Sequence, residues 1–461
     1  DVATTVVLRN NILSNVSFHG ASGKTVAYWR STSDLALYNA ASNNNLFYAG
    51  TASAQNLIYF DGTNSDITLA AYQARVSTRD DLSTSALPGF KSINGADADY
   101  LHLNETGNCA TNAKGNNAGI LLATDYDSEA RSIVAPFVTD IGADEFSKKT
   151  IWTGAVNANW NNSGNWSTGI VPNNDDENVV IKNPPATQPV IQTGETYQVA
   201  SVLIESGATL TNKGLLKLSG SFITAAPASI NNLQSGIAEG SVEINGNCLT
   251  EQTIAGNVFV SNAVKNFTIS NDVKISSVAG EAVNVYNELG FGTVSNKVLT
   301  TNDNLVLVSN INGTANVGKI INNNSISGKA SVERYINTGT GIGQHGKGWQ
   351  FLSTPAKGAT IFQSWQEGGA TPAGYGTIIT GTGSGFDITT AQPSMKFFDP
   401  AIGVNGDWSP VTSTAGLIED KRGYMIFVRG DRTITLSSSP ANTTTLRIKG
   451  TLYQPNDPPP S

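Results

Sequence analysis

The chain has 461 residues, a formal net charge of −8 and only 14% charged side chains, so much of its polar surface has to come from Asn, Ser, Thr and Gly. The acidic balance and the lack of any Lys/Arg run exclude a phosphate-neutralising nucleic-acid binder, and no stretch approaches the about 20 apolar residues of a membrane-spanning helix. With 46 glycines the composition favours short strands joined by tight turns over long helices, because Gly and Asn tolerate positive φ and are weak helix formers; helix is expected to stay below about 10%.

The length predicts about two to four domains, and three regions separate. The first is 1–146. Val6, Val7 and Leu8 precede Arg9-Asn10-Asn11, and Ile12-Leu13 follow. Short apolar strands broken by Asn turns are what a parallel β-helix coil needs, since stacked asparagines satisfy backbone groups at the corners. Two short helices are predicted, over 33–40 and over 66–75, the second capped by Ser65 or Asp66. The chain enters its first strand-like run at once, which reads as a processed or truncated start, with the first coil's open edge covered by upstream sequence or a partner.

The first region closes on Asp125-Tyr126-Asp127-Ser128-Glu129-Ala130-Arg131 and Asp140-Ile141-Gly142-Ala143-Asp144-Glu145-Phe146. These blocks resemble the closing segment of bacterial right-handed parallel β-helix proteins, with Ser128 where that pattern has Gly and Thr139 where it has Pro. The resemblance implies a cap of charged residues over the far end of the stack. Asp125, Asp127 and Glu129 also form a candidate calcium set. With Arg131 they superficially match the acid-plus-base inventory of pectate-lyase-like enzymes, but their place in a closing segment favours capping.

The second region, 147–329, opens with Trp152-Thr153-Gly154, Asn159-Trp160-Asn161 and Gly164-Asn165-Trp166-Ser167, then Val171-Pro172 and 175–181. The pattern is similar to an entry module of secreted Bacteroidota surface proteins. Strand-like runs recur at 190–191, 202–204, 215–218, 242–244, 258–260 and 267–269 at solenoid spacing. A second β-solenoid is the reading, with a β-sandwich as rival. Trp152, Trp160 and Trp166 either stack on sugar rings or pack the junction with the first solenoid.

The third region, 330–461, carries Val332-Glu333-Arg334-Tyr335-Ile336, Gly348-Trp349-Gln350-Phe351-Leu352-Ser353, Ser364-Trp365-Gln366-Glu367-Gly368 and a block over 422–432. These look like a domain common in giant proteins exported by the type IX secretion system. Alternation in 424–428 and 433–436 predicts half-buried antiparallel strands of a β-sandwich-like module. The prolines of 455–461 suit a linker and cannot pair in a sheet.

The fold class expected is therefore all-β: a right-handed parallel β-helix, a second solenoid and a sandwich-like module. The resemblance implies export to the outer cell surface, type IX machinery as a partner, and a role in adhesion, gliding motility or envelope structure. That pathway's family carries a C-terminal sorting domain: either it lies beyond Ser461, or the assignment to that pathway fails. Other domains of one larger polypeptide, surface polysaccharide and self-association are the remaining partners expected. The alternative is a polysaccharide-degrading or carbohydrate-binding protein. No catalytic set and no cofactor beyond the candidate calcium are predicted: three His are scattered, and the Gly-rich loops at 339–343 and 381–385 lack the strand, helix and G-K-[ST] context of a phosphate loop. Cys109 and Cys248, the only cysteines, either pair or stay as separate thiols.

Overall fold

The computed structural model describes residues 5–104, 108–118, 123–131, 138–145, 149–183, 186–220, 222–224, 230–246, 251–418, 423–435 and 439–455. The chain is all-β, with 38% strand and 5% helix.

Parallel coils build the first region. Ile12–Ser14 pairs in parallel with Leu46–Tyr48, and Leu46 bridges Thr84 on the next coil. A second face pairs Thr25–Trp29 with Asn56–Phe60. The corner between coils is an amide ladder. Asn45 Oδ1 accepts from the Asn11 N–H and side-chain amide, both at 3.0 Å and 34 residues apart in sequence. The Asn45 N–H donates to Ser83 Oγ one coil further on. Asn10 and Asn44, one step earlier in each coil, take φ of 56° and 57°, the left-handed corner that Asn tolerates among residues with a side chain.

Among the described residues one helix forms here, Leu69–Val76, with Thr68 Oγ1 accepting from the Ala71 N–H as its cap. The expected cap at Ser65 or Asp66 is corrected: both lie in the short strand Ser65–Asp66. Residues 33–40 form turns and a bridge from Tyr38 to Val6 instead of the predicted helix. Helix Leu69–Val76 places Tyr72 beside Phe47 and Tyr59, and Tyr38 and Tyr72 both donate to the buried Asp80 carboxylate.

The closing segment and the stretch before it meet both the first coil and later residues of the region, where the Ile141 N–H donates to the Thr111 carbonyl at 3.0 Å. The Gly142 N–H donates to the Asn10 carbonyl at 3.0 Å, the Asn116 N–H donates to Asn10 Oδ1, and Asn44 Nδ2 donates to the Lys114 carbonyl. Gly142 thus reaches back to the Asn10 corner of the first coil, and the preceding stretch at Lys114 and Asn116 runs along the Asn10 and Asn44 corners, where it pairs groups the coils leave over.

The second region is a β-solenoid of about seven turns across 149–332. One face stacks Lys149–Trp152, Asn178–Ile181, Ser201–Ile204 and Phe222–Thr224; a second stacks Val190–Ile191, Leu210–Asn212 and Ile230–Asn231. A third runs from Thr196–Val199 through Leu215–Leu218, Ser241–Ile244, Ala263–Ile269, Val283–Phe291 and Leu305–Leu307 to Lys329–Ile336. Every pairing in these stacks is parallel, which disposes of the sandwich rival. Inward residues line up turn over turn, as with Val199, Leu218, Ile244 and Ile269. Amides again tie the turns: buried Asn212 donates to Asn232 Oδ1 at 3.0 Å, and Asn271 donates to Gln252 Oε1 at 3.2 Å. The run 258–260, expected as a strand, is two short 3₁₀ turns around Phe259, which bridges Ile230.

Lys329–Ile336 ends the parallel stack and begins the C-terminal module. It takes Leu305–Leu307 in parallel on one edge and Thr444–Leu452 antiparallel on the other. A second, antiparallel sheet orders Gly348–Ser353, Gly423–Val428, Met395–Asp399 and Asp407–Pro410. Met395, Tyr424, Ile426 and Val428 share one buried cluster with Leu446 and Ile448, and that cluster extends back through the solenoid to Trp152. Thr433–Thr435, expected to open a strand, form none; Leu436 lies outside the described residues.

The ladder tolerates no added volume. A Cβ on Gly240 would lie 2.3 Å from both the Asn212 carbonyl oxygen and Asn232 Oδ1, whereas one on Gly313 meets nothing within 4 Å. Gly240→Ala is expected to destabilise the protein by about 1–3 kcal/mol and Gly313→Ala by less than about 0.5 kcal/mol, as read from urea unfolding midpoints.

Candidate functional site

The polar constellation singled out by sequence is the closing segment, and the structure builds it from backbone outward. Asp125 Oδ1 accepts from the N–H groups of Asp127 (3.0 Å) and Glu129 (2.8 Å), and Oδ2 accepts from the Glu145 N–H (3.1 Å). Ser128, standing where the resembling pattern has Gly, takes φ of 71° to close this turn. Asp140 Oδ1 accepts from the Ala113 N–H and Asp144 Oδ2 from the Leu103 N–H, both at 2.6 Å. Glu145 Oε2 accepts from the Thr139 hydroxyl and the Asp140 N–H, with Arg131 Nη1 3.8 Å away. Arg131 also donates to the carbonyls of Gly142 and Ala143. Each charged group thus ties one strand end to the next.

The candidate calcium set is rearranged. Asp125 and Glu129 converge with Asp144, while Asp127 lies with His102 and Asp144, the oxygen and nitrogen atoms of each trio falling within 4.8 Å of one another. Asp127 is drawn off by His102 Nε2, 3.0 Å from its Oδ2. Asp144 is the shared member that sequence reasoning passed over; its place in the Asp140–Glu145 block was a signal only for capping. Burial pushes the Asp144 carboxyl above its ordinary value, opposed by the Leu103 N–H and by His102, and reinforced by Asp125 and Asp127. Calcium takes about six to eight oxygens. Asp125 already accepts three backbone N–H groups and Asp144 one, so the donor set fits a cap better than a cation cage. Of the four residues matched to an acid–base inventory, Arg131 is turned to Glu145 and the carbonyls of Gly142 and Ala143, and Asp127 to His102.

The three tryptophans are buried. Trp166 packs edge-on against Trp152 at 4.8 Å and against Trp160 at 4.6 Å, and Trp160 meets Tyr197 at 5.7 Å. Their indole N–H groups donate to the carbonyls of Thr187, Pro172 and Trp160. Asn165 pins the loop by accepting from the Val156 and Asn157 N–H groups. The reading of Trp152, Trp160 and Trp166 as a sugar platform is corrected: no indole face is open, because the first turn of the solenoid needs an apolar plug. Aromatics that do meet solvent stand elsewhere: Phe18, Trp29 and Tyr126 in the first region, and Trp349 and Phe351 on the C-terminal sheet, where strand 423–428 is apolar at both parities. That double parity was the legible signal.

Cys109 is disulfide-bonded; Cys248, the chain's other cysteine, lies outside the described residues.

A family model described as a domain of unknown function (DUF8693) matches residues 151–237. That span holds the tryptophan plug and the first solenoid turns. No curated protein and no solved structure matches the chain. The class the fold defines is thus an all-β solenoid protein.

Two outcomes follow from the site. The folded Asp144 carboxyl holds its proton more tightly than the unfolded one, so its charge costs stability at about pH 7 and the cost fades as pH falls through the raised pKa. Asp144→Asn keeps an oxygen for the Leu103 N–H; thermal melts should show the variant at least as stable as the parent at about pH 7, its advantage shrinking toward pH 4. A variant that melts earlier at neutral pH would mean the charge is used, as by a bound cation. Peptide mapping without reductant should recover Cys109 linked to Cys248.

Proposed function

We propose that the chain is a non-catalytic structural or adhesive segment of a large protein displayed on the outer surface of a bacterial cell. The observation that carries this reading is the use made of the polar side chains: the carboxylates and the arginine of the closing segment, and the amides of the ladders, are spent on backbone N–H and C=O groups. Among the described residues no nucleophile, base and orienting acid converge. The bonded state of Cys109 supports an oxidising compartment, since disulfides persist outside the reducing cytosol. No helix among the described residues is long and apolar enough to cross a membrane. Resemblance of the third region to type IX substrates supports export by that machinery, with gliding motility and envelope structure as the roles it implies. Other modules of the same polypeptide and surface polysaccharide are the partners this reading calls for.

Incubation of the purified chain with pectin, alginate and chitin should leave polymer length and reducing-end content unchanged. Turnover that disappears in Asp127→Ala would replace the structural reading by an enzymatic one. On intact producing cells, antibody against the chain should bind without permeabilisation.

A further inference from the structure

The antiparallel sheet of the C-terminal module is apolar on both faces where folding requires one. Its inner parity enters the core through Met395, Tyr424, Ile426 and Val428. On its outer parity Trp349 stands opposite Phe427 and Phe351 opposite Met425, while Lys396 stands opposite Met425 and Phe398 opposite Trp408. The rings touch across strands: Trp349 lies 5.4 Å from Phe427, and Trp408 lies 5.6 Å from both Phe351 and Phe398. Phe351 is 68% exposed and Trp349 40%. Clustered exposed aromatics of this kind mark an interaction surface more often than a solvated face.

The charges on this face say what it fits. Lys396 Nζ lies 5.9 Å from the Trp349 ring centroid, and the Arg429 guanidinium lies 5.0 Å from that of Phe427. No carboxylate occupies an outward position along the described residues of these four strands; Asp399 and Asp407 pair with each other at the opposite parity. In a chain of net charge −8 the face is therefore locally cationic, which attracts an anionic partner. A second copy would set Lys396 and Arg429 against their own equivalents. Ring faces recognise the C–H surfaces of sugars, and the two cations answer carboxylate or sulfate groups along a polymer.

We propose that this outer face binds an anionic polysaccharide chain, with Trp349, Phe351 and Trp408 contacting sugar rings and Lys396 and Arg429 pairing with acidic substituents. This rests on the adhesive reading above and names its ligand class. Native affinity electrophoresis of the full chain tests it, with alginate, polygalacturonate or neutral dextran cast in the gel and EDTA throughout to remove calcium bridging. Retardation by at least one acidic polymer and not by dextran is expected. The apparent dissociation constant should rise at least tenfold in Trp349→Ala/Trp408→Ala, and Lys396→Glu and added salt should each weaken binding. Circular dichroism checks that the variants fold; Phe351→Ser, at the most exposed of these rings, stands in if the double variant does not. Failure of both acidic polymers to retard the parent, equal retardation by dextran, or parental binding by a folded aromatic variant would overturn the proposal. Polymer length, measured on the same samples, separately tests the non-catalytic reading: a bound polymer that is shortened defeats that reading and leaves the face assigned.

Discussion

Everything in this molecule depends on satisfying the backbone at the corners of stacked coils. Between strands the ladder provides its own partners, but at a corner the chain turns and its N–H and C=O groups point away from the neighbouring turn. A buried group left so costs about 1–3 kcal/mol, repeated at every turn. The answer is a short amide at the same place in successive turns: Asn11 on Asn45, Asn212 on Asn232, Asn271 on Gln252. An amide both donates and accepts, so one residue type serves the turn before it and the turn after it. The Asn-rich, charge-poor composition is the chemical consequence.

The second constraint is how a stack ends, since an open edge invites pairing with another chain. The Asn10 corner of the first coil meets Asn116 and Gly142 from later in the chain, beside carboxylates that accept N–H groups. The second solenoid begins on a plug of three indoles and ends where Thr444–Leu452 pairs antiparallel with Lys329–Ile336. That reversal converts a solenoid face into one sheet of the C-terminal module and carries a single buried cluster across the junction. The carboxylates of the closing segment accept backbone N–H groups, while the C-terminal sheet carries a cluster of touching aromatic rings, Phe351 and Trp349 among the exposed ones.

The sequence by itself determined the all-β class, the coil-and-corner organisation, and the position of most solenoid strands. Those are local matters: alternation at 202–204, 215–218 and 242–244, with Gly and Asn between, is compatible with little besides short strands and turns. It also pointed to a structural use of the Asp125 and Asp140 blocks, whose carboxylates accept backbone N–H groups. The tertiary structure alone decided which partner each residue meets. Tyr38 became a bridge to Val6 instead of part of a helix because cross-coil pairing outweighs local propensity. Asp127 left Asp125 and Glu129 because His102, 25 residues away in sequence, lies 3.0 Å from it. The Gly142 N–H went to the Asn10 carbonyl of the first coil, a pairing over more than 100 residues that no local pattern encodes. Trp152, Trp160 and Trp166 turned inward and Trp349 outward for the same reason: whether an indole is plug or platform depends on what stands opposite it in space.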